Sequence, residues 1–209
     1  MSKYLRYAGI AASAILIVFG IASIVVGATG RHTVRDNLAA EQIVGSPDMT
    51  PKAIKTEADA AGLKNVSLPT CSVADKAIDN GTDARCFAQY MRIHALEATG
   101  GQVYAEMGQY LDKAGKPTSD KAAAAIDPVT KQPMANGARN IWVNETALST
   151  ALNTSYFAEN VALFSVVMGV ALLLTGIGFL LVTLNLLRPL ARKDETPAGK
   201  PAGSPVLAS

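Results

Sequence analysis

Two uninterrupted apolar segments, one near each end of the chain, leave little freedom in how it can fold. They run from about Tyr7 to Ala28 and from about Val161 to Leu184, and neither holds a charged residue. Each has the roughly 20 residues that an α-helix needs to cross a hydrocarbon core about 30 Å thick. The expected fold is an all-α membrane protein: a two-helix transmembrane hairpin carrying a mostly helical extracytoplasmic domain. Its segments are an N-terminus at 1–6, a first span at 7–28, an outer domain at 29–160, a second span at 161–187 and a tail at 188–209. The tail holds Pro197, Pro201 and Pro205 among Gly, Ala, Lys and Ser, a composition that cannot bury a core and predicts disorder.

Lysine and arginine beside the spans set the orientation. Arg188, Arg192 and Lys193 follow the second span, whereas no Lys or Arg lies between Arg139 and Arg188 and the acids Glu145 and Glu159 precede the span. Its far end therefore belongs in the cytoplasm. Lys3 and Arg6 before the first span are balanced by Arg31 and Arg35 after it, so the second span decides the map. Both termini are predicted inside and residues 29–160 outside, in a multi-pass protein of the cell membrane. A cleaved signal peptide ending at Val26-Gly27-Ala28 competes for the first segment. The apolar run is longer than the usual core of such peptides, about 7–15 residues, which favours a retained anchor.

The chain has 2 cysteines, Cys71 and Cys86, and both fall in the exported stretch. A single pair in an oxidising compartment predicts one disulfide. Closing a loop of about 15 residues removes roughly 3 kcal/mol of unfolded-state entropy. That is a useful staple for a domain with room for one small core.

Small residues line one face of each span. Gly9, Ser13, Gly20, Ser23 and Gly27 step by heptad spacing in the first, with Leu16 in the gap; Ala162, Ser165, Gly169 and Gly176 do so in the second, with Leu172 between them. Such seams let helix backbones approach where lipid offers no hydrophobic drive. The two seams are expected to face each other or a second copy of the chain.

Within the outer stretch, Thr50-Pro51 predicts a helix start and Gly62 its stop. Asp83 is expected to cap a longer helix from Ala84 to Thr99, closed by Gly100-Gly101, with Phe87, Tyr90, Met91, His94, Ala95 and Ala98 on its inner stripe. A short helix is expected to follow, with Val103, Tyr104, Met107 and Leu111 inward. Residues 112–140 read as a polar excursion around one alanine-rich helix. From Ile141 a helical pattern resumes and leads toward the second span.

Candidate chemistry is sparse. His94 lies on an apolar stripe with Glu97 three positions on, a pair that helix geometry lets meet. His32 reads as an interfacial residue. A site of two histidines and one carboxylate would need both histidines, which lie far apart, and no zinc-type Cys or His spacing exists. Asp79–Asp83 reads as a turn and cap, lacking the spacing of a calcium loop. No nucleophile elbow or phosphate loop is present. Net charge is +2 with acids and bases interspersed, which offers no footprint for nucleic acid.

The run from His94 to Met107, HALEATGGQVYAEM, resembles a segment in a family of small bacterial two-span membrane proteins often labelled "aromatic ring-opening dioxygenase LigA". A later stretch resembling Thr146–Asn153 leads into a final span like 162–184. The resemblance covers about half the chain and implies a helical outer domain on two spans, with His94, Glu97, Gly100, Gly101 and Tyr104 as motif residues. Ring-opening dioxygenases of that name resemble soluble iron enzymes with several histidine ligands, whereas this chain has 2 histidines. The expectation is a non-enzymatic protein without cofactor, working with the bilayer and with a membrane-protein partner or a second copy. A ligand-sensing module is the alternative, and an iron dioxygenase the remote one.

Overall fold

The structure, a computed structural model, describes residues 2–193, with side chains placed from 4 to 185. Its secondary structure comprises α1 (Ser2–Ala40), α2 (Pro51–Ala60), α3 (Gly81–Ala98), β1 (Tyr110–Leu111), β2 (Pro117–Thr118) and α4 (Gly137–Lys193). The fold is mostly helical rather than all-helical, because the small β-sheet departs from the expected class. Two compact units emerge: Met1–Gly27 with Phe164–Ser209, and Ala28–Leu163. Helix α1 runs past the expected end of the first span, and α4 continues unbroken from 137 through the second apolar run to 193. Residues 188–193, expected in the tail, thus belong to the helix, and 194–209 lie outside the described residues.

In the first unit both apolar segments are helices long and apolar enough to cross a membrane. Their bulky side chains point away from each other: Val18, Phe19, Val25 and Val26 on α1, and Leu174, Phe179, Leu181 and Val182 on α4, are all exposed. The facing sides carry the small residues. Gly9 faces Thr183, Leu16 and Ile17 face Gly176, and Gly20 faces Gly169, so numbering rises along one helix as it falls along the other. A methyl group on Gly20 would sit 2.8 Å from the Gly169 carbonyl oxygen and 2.7 Å from the Leu173 nitrogen. Only glycine permits backbones that close. Ser13 is fully buried there and donates to the Gly9 carbonyl at 2.8 Å, so its hydroxyl costs no unpaired donor.

The second unit is built around α3. Ala84, Phe87 and Ala88 are buried on one side of it, and Cys86, Tyr90 and Ile93 on another. Ile54 and Ala58 from α2, Leu38 from α1, Leu152 from α4, and Val73 and Ile78 from the intervening loop complete this core. A second cluster joins Ala95 and Leu96 to Met107 and Trp142. Ala98, expected inward, is exposed, while Ile93, Ala88 and Leu96 are buried, because α3 is covered on more than the one face its amphipathic stripe suggests. Cys71 and Cys86 form the disulfide, with Cα atoms 6.1 Å apart. Beside it the buried Tyr90 hydroxyl donates to the Cys71 carbonyl at 2.6 Å, and burial pushes its phenol above the usual range.

Helix starts follow local chemistry. The Thr50 hydroxyl accepts the Ala53 N–H at 3.2 Å and Pro51 occupies the first turn. For α3 the cap is Asn80 rather than Asp83. Asn80 has extended backbone and its side-chain oxygen accepts the Asp83 N–H at 3.0 Å, while Asp83 sits inside the first turn, where an acid suits the helix dipole. Gly100 and Gly101 close α3 with φ of 63° and 79°.

The helix expected after Gly101 is absent. Residues 102–109 form turns, and β1 pairs antiparallel with β2 through Tyr110–Thr118 and Leu111–Pro117. The Asp112 carboxylate holds this hairpin by accepting the N–H groups of Ala114 and Lys116, each at 2.8 Å. The alanine-rich helix is absent too. Ala124 bridges to Asp112, and the Ala125 N–H is taken by the Leu111 carbonyl at 2.8 Å, so tertiary pairing overrides alanine's helix propensity.

Candidate functional site

In the second unit one group of side chains that could act as metal ligands surrounds His94. Asp48 lies in the turn before α2, Glu57 on α2, and His94 on α3. The His94 Nε2 atom is 3.2 Å from Asp48 Oδ2 and 3.5 Å from Glu57 Oε2. These distances would suit an ion pair when the imidazole is protonated, but neither oxygen is aligned for a hydrogen bond, and Nε2 is shielded from solvent with no hydrogen-bond partner. The Ser46 hydroxyl, then the backbone N–H of Asp48 itself and the nearby His94, hold the Asp48 carboxyl below its usual value against the opposing effect of burial. On its other side His94 borders a crevice of about 320 Å³ with Met91, Ala95, Ile141, Asn144 and Leu148.

The acids that meet His94 are Asp48 and Glu57, and Glu97 is exposed on its helix. His32 belongs to a different place, paired with Asp36 four residues on along α1. Tyr104 lines another groove, of about 530 Å³, with Trp142, Val143 and Ala147. Its ring lies under the Arg139 guanidinium, 3.9 Å from the ring centre. The motif run is therefore divided: His94 belongs to the acid cluster, the glycines to the helix end, and Tyr104 to the groove.

Two buried acids organise the unit, and the sequence marked them only as charges near a span. Glu159 Oε1 accepts from Arg31 at 2.9 Å and Arg35 at 2.8 Å, while Oε2 accepts the Gly81 N–H at 2.6 Å. Burial is the largest single influence on this carboxyl and pushes its pKa up. The hydrogen bonds from Arg31, Gly81 and Arg35 together outweigh it and bring the pKa below the usual carboxylate value. Gly81 is required at this junction, since a Cβ there would lie 2.7 Å from the Tyr156 Cα. Glu145 is buried, receives Arg92 at 3.0 Å and Ser149 at 2.8 Å, and Arg92 stacks 4.0 Å over the Trp142 ring. An acid three or four residues from apolar positions on a helix signals such burial weakly; the partner's identity is a tertiary fact.

Comparison with models of protein families, with curated proteins and with solved structures finds no match for this chain. The site must be read from its own geometry.

Proposed function

We propose that the chain is a non-enzymatic integral membrane protein that serves as an accessory or scaffold component of a cell-envelope complex. In this reading α1 and α4 form an antiparallel transmembrane hairpin, both termini are cytoplasmic, and 29–160 is an extracytoplasmic module. The observation that carries it is the first unit's inverted packing: small residues inside at Gly20 and Gly169, bulky apolar side chains outside. Water would penalise that surface and lipid would not. The disulfide suits an oxidising exterior. Crosslinking in native membranes followed by mass spectrometry tests the scaffold role; a reproducible partner or homo-oligomer is expected, and monomer alone would overturn it. A tag at position 209 should resist protease added to intact cells.

A second reading, an extracytoplasmic ligand sensor signalling through a separate partner, draws on a polar crevice of about 390 Å³. It is lined by Ser67, Gln89, Arg92, Glu145, Ser149 and Asn153. Differential thermal shift of the purified protein across polar metabolites separates the two; a specific stabilising ligand would favour sensing.

A further inference from the structure

We propose that Asp48, Glu57 and His94 form a binding site for one divalent cation of the zinc class. This goes beyond the scaffold reading and does not depend on it.

The donor set comes first. One imidazole nitrogen and two carboxylate oxygens, each from a different side chain, lie within 4.8 Å of one another. Zinc holds such donors at roughly 2.0–2.2 Å in a tetrahedron, which places neighbouring donor atoms about 3.3–3.6 Å apart. The separations from His94 Nε2, 3.2 Å to Asp48 and 3.5 Å to Glu57, fall close to that edge length. A hydrogen bond at 3.2 Å would need the ring N–H aimed along the line to the oxygen, and no acceptor is so placed for His94 Nε2.

The unmet nitrogen is the second observation. His94 Nε2 is enclosed, faces both acids and hydrogen-bonds to neither. A cation between the three would give that nitrogen its partner and would offset the repulsion of two carboxylates. The imidazole argues against calcium or magnesium, which take oxygen donors in greater number.

The backbone holds the donors in place before any ion arrives. The Ser46–Met49 turn closes with the Met49 N–H on the Ser46 carbonyl at 3.0 Å, and Met49, Ile54 and Ile93 anchor the three donor-bearing segments in the core. The side chains of His94, Asp48 and Glu57 remain 28%, 37% and 31% exposed, so an ion can enter from solvent. Three protein donors leave a fourth position for water or for a donor from a partner.

Full-length protein in detergent, stripped with chelator, would be titrated with zinc chloride by calorimetry and with cobalt(II) by visible absorption. We expect one ion per chain and cobalt bands typical of four-coordinate nitrogen and oxygen ligation. His94→Gln, Asp48→Asn and Glu57→Gln should each weaken zinc binding at least tenfold, while Glu97→Gln leaves it unchanged. Should His94→Gln fail to fold, the more exposed Glu57→Gln carries the test. Absence of stoichiometric zinc uptake, or uptake unaltered in these variants, would reduce the cluster to an ordinary ion pair and overturn the proposal.

Discussion

The two units of this molecule solve the packing problem in opposite ways. In the first, contact is made by what is missing: glycines at 20 and 169 let main chains meet, and the large apolar groups turn outward. In the second, large groups turn inward, with Ile54, Val73 and Tyr90 fully enclosed, and a disulfide and buried acids fix the frame. In the proposed bilayer setting, the solvent around a helix decides which residues its contacts require. A glycine is structural where bulk faces out, and a side chain is structural where bulk faces in.

The contrast can be broken most severely at the glycines. Gly20→Leu and Gly169→Leu should each destabilise the first unit by about 3 kcal/mol, the upper part of the overpacking range, because most of the obstructing atoms are backbone and cannot step aside. Thermal loss of helicity in detergent would register this, while the Cys71–Cys86 bond still forms on a non-reducing gel. Equal stability of both variants and the parent would remove the basis for the seam.

Replacing Cys71 and Cys86 together by Ala tests the other side. The cost should be about 3 kcal/mol, confined to the second unit, and visible as earlier proteolysis within 28–163. Next in size is Glu159→Gln, expected to lose about 2 kcal/mol by weakening charge-assisted hydrogen bonds from two arginines. Because the folded pKa of Glu159 lies below its ordinary 4.5, its contribution is present above that value. It is lost as pH falls through the folded pKa. Acid titration of the parent and the variant should therefore converge at low pH; parallel curves would assign the acid sensitivity elsewhere. The smallest effect expected is from Asn80→Ala, about 1 kcal/mol for a lost cap. Asp83→Ala should cost less, and the reverse order would return the cap to Asp83.

What could be read from the sequence divides along a similar line. Thr50-Pro51, the paired glycines after α3 and the small-residue faces are local or periodic signals, and their geometry follows from chain neighbours alone. The β1–β2 hairpin was hidden because Asp112 and Gly115 look like any loop until the strands pair. The alanines at 122–125 carry a helical preference that pairing with Leu111 and Asp112 overrules. His94 stood out, yet Glu97 drew attention because it is near in sequence; Asp48 and Glu57 arrive from 46 and 37 residues away, and no local pattern points to them. Glu159 was legible as a charge beside a span but not as the partner of Gly81.

Helix α3 is walled on two sides, and that has an evolutionary reading. A segment with so little free surface tolerates change only when a neighbour changes with it, so descendants of this sequence should alter 81–98 slowly and in compensating pairs. The exposed turns around 113–116 and 128–131 carry no such burden, and divergence should collect there first.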